Sequence, residues 1–421
     1  MIVMGTIYYY GQDGEIVDNN LIKLFELSTK EIRYSDKLDA NVFDIVGFIY
    51  KENKILVIFP KHYYNKSDID IFNQTNANLG SDIKLLYNVI KKYGETEKTT
   101  ASARSYMGAV DGYTSDYPFK SFYEVYDYYK KYGIYKEKET KIEKGTTGKV
   151  SWKYTLRKSN KIISGGNLIF SPFYVSKKNF NEVFLTECMA FIIDYTIDFF
   201  SAFLSMKKTG IKYKFDFLNN IDYVLLQLKT SQSTAFKDSH KHLIKSMIDF
   251  FEQFKGKAKG GKVHVKIRYF DMIWQNMIAR YINRHFYGID SVSGAAVFNE
   301  TTDCSTVFFA NTTFPDIDDS QHHFQIDVDH IAFDNNILYI FDSKYYADIS
   351  KLNYKQFSYS EILRYYYPGV IAIHNILLLP GEEHSNLHFS LSARYVGTRR
   401  IGTKIIEQFL PPKKIMQDYL L

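Results

Sequence analysis

FQIDVDHIAFDNNILYIFDSKYY, Phe324 to Tyr346, is the stretch on which the fold of the C-terminal part turns. Two apolar-rich runs flank Asp334-Asn335-Asn336, and Asn tolerates the positive φ that a tight two-residue hairpin turn demands. With Asn335-Asn336 as the loop, Asp329 faces Asp342 and Asp327 faces Lys344. Side chains alternate along a strand, so Asp327 and Asp329 are expected on one face with Asp342 and Lys344, and Ser343 on the other. Directly opposed Cβ atoms lie about 4.5–5.5 Å apart. The hairpin thus gathers three carboxylates and one ammonium into a small patch. The apolar residues around them suggest a sheet buried on both faces.

Like charges that close repel unless something neutralises them. A divalent cation does so, and hard Mg²⁺, or Mn²⁺ in its place, prefers carboxylate oxygens. A neighbouring Lys holds an attacking water and stabilises charge building on a phosphate. Metal-assisted phosphodiester hydrolysis needs this set. The same spacing also fits a plain ion pair between Asp327 and Lys344, with Asp329 solvated at a strand end.

Working outward, a helix is expected over Phe357–Tyr366, then strands over Val370–Leu379 and Leu387–Val396. Upstream lie a helix over Phe270–Tyr287 and a strand over Thr306–Ala310. Near the N-terminus, Val46–Tyr63 reads as two strands joined at Glu52–Lys54, followed by a helical pattern in Asp68–Tyr93. Between these parts, Asn181–Leu204, Asn220–Lys229 and His242–Phe254 read as apolar or amphipathic helices. Tyr129–Lys149, charged and bounded by Gly, reads as a linker. The expectation is an α/β (α+β) multi-domain chain. Residues 1–140 form an N-terminal mixed α/β targeting or partner-docking domain, 141–262 a mostly helical middle region, and 263–421 the domain that carries the acids.

The 421 residues are 45% hydrophobic and 24% charged, which excludes disorder, collagen and a small disulfide scaffold for the whole chain. A net charge of +6 permits an anionic partner. Cys188 and Cys304 lack CxxC spacing and fit a reducing compartment. The start of the chain has no basic segment followed by a long apolar one, as a signal peptide would. Ala190–Leu204 is interrupted by Asp194 and Asp198 and reads as a core helix. A soluble cytoplasmic protein, not a membrane one, is expected. The basic loop KGKAKGGK, with Lys257, Lys259 and Lys262, is either a solvated connector or a phosphate-backbone contact. Trp152 among Lys153, Arg157 and Lys158 suits nucleic acid equally with a domain seam. His322, His323 and His330 lack zinc-ligand spacing, and Pro315-Asp316 lies in a polar, turn-like run.

Asp329, followed thirteen residues on by Asp342-Ser343-Lys344, resembles the signature of the PD-(D/E)XK nuclease superfamily. DISKLNYKQFSY places Gln356 and Tyr359 at a helix start, as in DNA-processing members. RYFDMIWQNMIARYI sits where the first core helix falls in that superfamily. That helix usually brings an acid to the metal; the candidates are Asp271 and Gln275, and a Gln in the usual Glu place is a departure. GTTGKVSWKYTLRKS, FDMIWQNMI and DSKYY with KQFSY together resemble LlaJI-type restriction endonucleases, which are similar to McrC. VGFIYKENKILVIFPK resembles the strand pair ending in Pro-Lys near the start of such proteins.

The resemblance implies a PD-(D/E)XK core, a mixed central sheet flanked by helices. It implies an Mg²⁺-dependent restriction endonuclease subunit that hydrolyses double-stranded DNA in defence against foreign DNA. Asp329 and Asp342 would bind metal and Lys344 would position the water. Asp327 would be a supporting acid or the alternative ligand, and Gln356 and Tyr359 would orient the site or touch DNA. An McrB-like AAA+ GTPase would be the partner and would bind the GTP that this chain does not. Cutting both strands calls for two sites, hence a homodimer or an assembly on a partner ring. Two other readings stand beside it: a stand-alone type II enzyme with its own recognition domain, and a non-catalytic DNA-binding or assembly subunit that retains the nuclease fold.

Overall fold

The computed structural model describes residues 6–421 apart from 97–112, 116, 182, 256–262, 300, 302–304, 306, 316, 319–323, 348, 350, 352 and 397–401. The chain is mixed α/β and multi-domain. It separates into two compact units, one made of Met1–Asp116 with Lys262–Leu421 and the other of Tyr117–Gly261.

The first unit holds two main sheets. The N-terminal sheet contains β1 (Ile7–Gln12), β2 (Val46–Lys51), β3 (Lys54–Phe59), β4 (Tyr113–Ser115) and β5 (Val263–Ile267), in the order β1-β3-β2-β5-β4. The two strands expected within Val46–Tyr63 form here, and Glu52 takes the positive φ of 56° at their turn. Val46, Phe48, Ile49, Leu56, Val57, Ile58 and Phe59 are fully buried, so this pair is a core element. β5 pairs antiparallel with both β2 and β4. The chain therefore leaves this sheet at β4 and re-enters it on the neighbouring strand.

The second sheet contains β6 (Ala310–Phe314), β7 (Ile326–Asp334), β8 (Ile337–Ser343), β9 (Ala372–Pro380), β10 (His384–Ser390) and β11 (Lys404–Leu410), in the order β6-β7-β8-β9-β11-β10. β7 and β8 form the expected hairpin. Their register runs from Asp334↔Ile337 to His330↔Phe341, and Asn335 and Asn336 take φ of 50° and 61°. β8, β9 and β11 are parallel neighbours. The strand expected at Thr306–Ala310 lies further on, at β6. The one expected at Leu387–Val396 begins and ends earlier, at β10.

Two helices sandwich β8. Leu338 and Ile340 pack with Tyr359 and Leu363 of α2 (Tyr354–Tyr366). Tyr339 and Phe341 face the other way, against Phe286, which caps the end of α1 (Phe270–His285). Ile273, Trp274, Met277, Ile278, Tyr281 and Ile282 make the buried stripe of α1 at helical spacing. Trp274 Nε1 donates to the Leu378 carbonyl of β9 at 3.2 Å.

The second unit is built on helices Phe119–Tyr132, Phe184–Phe199, Ile221–Thr234 and Asp238–Phe254, around a core of Phe191, Phe200, Phe217, Phe250, Phe251 and Phe254. It is less helical than its sequence suggests. The stretch read as a linker closes one helix and then forms strand Glu137–Lys144, which pairs with Tyr174–Asn181. Residues 160–171 form a second hairpin. The sequence of strand Glu137–Lys144 is charged and polar apart from Ile142, so the period-2 apolar signal of a strand is missing although the backbone pairs. Among the described residues no helix is long and apolar enough to cross a membrane.

Candidate active site

The site grows from an irregularity in β7. Between β6 and β7 the register steps from Ala310↔Ile331 to Thr312↔Val328, so Asp329 and His330 together oppose a single residue. Such a bulge re-aims a side chain. Ile326 and Val328 share the core of α2 with Ile331 despite the odd spacing.

Asp329 turns towards the end of β8. Its carboxyl lies beside that of Asp342, and the Ser343 backbone N–H donates to its Oδ2 at 3.2 Å. Burial, then the negative charge of Asp342, pushes the Asp329 carboxyl up to about 7, against the opposing pull of Lys344. Asp342 is 1% exposed, and its Oδ2 lies 2.5 Å from Lys344 Nζ. That ion pair is close but poorly aligned, and both Asp342 oxygens lack a well-directed hydrogen-bond donor. Two carboxylates and an ammonium thus converge as the hairpin register requires.

On the opposite face His330 Nε2 meets Ser343 Oγ at 2.7 Å. Burial holds His330 neutral, its pKa lowered to about 3. This contact ties the two strands together just beyond the last ladder pair, His330↔Phe341.

Asp327 does not join the acids. The bulge breaks the alternation that placed it beside Asp329, and it sits exposed, accepting from Thr313 Oγ1 at 2.7 Å across the β6 side. Lys344 pairs with Asp342 and not with Asp327. Asp271 is exposed in the first turn of α1, and Gln275 is half-buried on the same helix. Among the described residues no group of three or more His, Cys, Asp or Glu is placed to hold a metal ion.

Gln356 is fully buried in an amide network. Its Nε2 donates to Ile340 O at 3.2 Å and to Asn375 Oδ1 at 2.5 Å, and Asn375 Nδ2 donates back to Gln356 O at 3.1 Å. Its backbone N–H is capped by Asn353 Oδ1 at 3.0 Å. Gln356 thus ties α2 to β8 and β9. Tyr359 donates its hydroxyl to the Asp327 backbone carbonyl at 2.6 Å, fixing the same helix to β7.

One residue absent from the sequence reading belongs here. Lys355 sits one turn before Tyr359, its ammonium 5.3 Å from that ring. Burial works to lower its pKa, but the Tyr359 contact and the charges of Asp342 and Asp329 overcome this and raise it. The spacing of four between Lys355 and Tyr359 is the signal that marks them as facing one way.

Lys153 and Arg157 are exposed, four apart on helix Trp152–Lys158 in the second unit. Lys257, Lys259 and Lys262 lie outside the described residues, as do His322, His323 and the Asp of Pro315-Asp316.

The donor set suits a hard divalent cation. Two adjacent carboxylates, Asp329 half-buried with its pKa raised to about 7 and Asp342 buried with both oxygens unsatisfied, are relieved by a positive charge between them. Mg²⁺ often takes only one or two protein carboxylates, with water and substrate phosphate completing its shell.

The family described as LlaJI restriction endonuclease matches residues 45–393 of the chain. A search of curated proteins finds no match. Among solved structures, a chain from the tetradecameric assembly of Thermococcus gammatolerans McrB AAA+ hexamers with bound McrC is similar at a TM-score of 0.34 and 14% identity, over 99% of this chain and 98% of that one.

Proposed function

Since the chain belongs to the LlaJI restriction endonuclease family, we propose that it is the Mg²⁺-dependent DNA-cutting subunit of a restriction system, with a PD-(D/E)XK nuclease core in its second sheet. The observation that carries this reading is the convergence of Asp329, Asp342 and Lys344 at one end of a buried hairpin. A hairpin running into parallel strands, with a helix against each face of β8, supports it.

When bound, the cation supplies Lewis-acid polarisation of the scissile phosphate and neutralises the acids. Asp329 and Asp342 would hold it, and Mn²⁺ has the same donor preference. Asp329 would need to be ionised to hold the cation, so its proton, kept by a pKa raised to about 7, is the one that binding would release. Lys344 orients the attacking water by hydrogen bonding and then faces the charge building on the phosphate. Lys355, on the rim beside Tyr359, adds a second cation for the DNA backbone. Gln356 and Tyr359 hold α2 against the strands and keep these groups in place.

Double-stranded DNA is the proposed substrate. Lys153 and Arg157, with the basic loop of Lys257, Lys259 and Lys262, are proposed contacts to its backbone. The resemblance to McrC-like subunits motivates an AAA+ GTPase partner that would bind GTP, with a homodimer as the other way to supply two sites. A non-catalytic DNA-binding subunit is the second reading, favoured by Gln275 in place of the acid that α1 would carry.

A plasmid-cleavage assay decides among these. The full chain is incubated with Mg²⁺, alone and with its neighbouring gene product and GTP. Cutting that disappears in Asp342→Ala and Lys344→Ala supports the nuclease reading. Site-specific cutting by the chain alone favours a stand-alone type II enzyme. Equal, background-level cutting by wild type and variants under all conditions favours the non-catalytic subunit.

A further inference from the structure

Lys344 sits just past the end of β8, where no strand pairing fixes its side chain. Its backbone N–H still donates to Leu378 O at 3.0 Å, which holds the chain on the upstream side. The downstream side is held by residues far away in sequence. Tyr345 is 7% exposed, and its hydroxyl accepts the Lys61 backbone N–H at 2.9 Å. The carboxylate of Asp13 lies close to the same hydroxyl. Lys61 Nζ lies 2.6 Å from Asp13 Oδ2 and 4.1 Å from the centre of the Tyr345 ring. Phe270, at the start of α1, packs against that ring at 5.3 Å. His62 Nε2 contacts Ala347 O at 3.2 Å.

Asp13 follows β1, and Lys61 and His62 follow β3, so the turn that ends the N-terminal sheet grips the segment after Lys344. An ion pair this buried gains little over a well-packed apolar pair and is best explained by what it specifies. Here it specifies the place of one hydroxyl.

We infer that Asp13, Lys61 and Tyr345 are positioning residues for Lys344, so that the N-terminal sheet is a working part of the cleavage site. This rests on the reading of Lys344 given above. Tyr345→Phe keeps the ring and deletes only the hydroxyl, so Lys344 loses its downstream anchor while the fold keeps its packing.

The test uses the full chain under whichever conditions the wild type cuts. A displacement of about 1 Å at a reacting group can cost on the order of 100-fold, so Tyr345→Phe, Asp13→Asn and Lys61→Met are each expected to lower the single-turnover rate at saturating DNA at least about tenfold. DNA affinity without Mg²⁺ should stay put, and Lys61→Arg, which keeps the ion pair and the cation over the ring, should retain most of the rate. Added to Lys344→Met, Tyr345→Phe should cost nothing further, because it acts through that lysine. Full activity of Tyr345→Phe, or an additive loss in the double variant, overturns the inference.

A second measurement does not need cleavage. In ¹³C-dimethyl-lysine NMR, the Lys344 resonance, identified by its loss in Lys344→Arg, should move in Tyr345→Phe. An unmoved resonance overturns the inference even if the chain never cuts DNA, whereas a moved one without any cutting sinks the nuclease reading alone.

Discussion

The carboxyl groups of Asp329 and Asp342 stand side by side at the open end of the hairpin, and the negative charge of Asp342 adds to burial in raising the Asp329 pKa to about 7. With its pKa at about 7, Asp329 holds its proton in most molecules below neutrality. A cation entering between the two carboxyl groups must displace that proton. Apparent Mg²⁺ affinity is therefore expected to rise about tenfold per pH unit up to about 7 and to level off above. Calorimetry in buffers of different ionisation enthalpy should find proton release on binding at pH 6.5. An affinity that is flat from pH 5.5 to 8 would show that no proton on Asp329 stands in the way.

The same carboxyl sets a stability trend in EDTA. Its folded pKa lies above the ordinary value of 3.8, so folding disfavours the ionised form. The stabilisation linked to the proton is complete below about pH 4 and is lost as pH rises through about 7. The melting temperature should fall between pH 5.5 and 8, less steeply in Asp329→Asn, and Mg²⁺ should restore it at pH 8. Thermal scans at fixed ionic strength measure this.

Lys344→Met strips the ammonium from a carboxylate that is 1% exposed. Cleavage should drop at least about 100-fold while DNA binding is retained. Loss of the partner should also cost up to about 3 kcal/mol in EDTA, since an unpaired buried charge remains or must take up a proton. Single-turnover kinetics and urea titrations read the two effects separately.

Gln356→Leu should behave differently from the acids. It strips the Asn375 side chain and the Ile340 carbonyl of a buried partner. A loss of about 2–3 kcal/mol is expected even with Mg²⁺ present. Adding Asn375→Leu should recover part of it, because two apolar groups suit that space better than one stranded amide. Chemical denaturation of both variants tests this.

Asn336 holds φ at 61° in the turn. Asn336→Ala should destabilise by about 1–2 kcal/mol, and Asn336→Gly should be close to neutral. If Ala and Gly melt alike, the turn is not under the backbone constraint assigned to it.

The pairing of β7 with β8 is legible in the sequence because two adjacent asparagines fix the turn and apolar runs fix the length on both sides. From these the meeting of Asp329 with Asp342 follows. Asp327 was placed wrongly by the same arithmetic, since one extra residue in β7 shifts every side chain before it and a bulge leaves no mark in hydropathy. Lys355 falls within the first turn of α2, ahead of the apolar residues that announce the helix. Asp13 and Lys61 meet Tyr345 across a sequence separation of up to hundreds of residues (284 between Lys61 and Tyr345), so no local pattern could connect them. Likewise, nothing near Val263–Ile267 tells that it pairs with Val46–Tyr50.

The exit and return of the chain on adjacent strands, Ser115 beside Val265, have a consequence for how such a protein diversifies. Whatever is spliced between two hydrogen-bonded neighbours starts and finishes at almost the same point, so its length and content are free of the host's register. The segment 117–261 is in that sense a cartridge. Evolution, or an engineer, can exchange it for another while the strands that hold Asp13 and Lys61 under Tyr345 stay as they are.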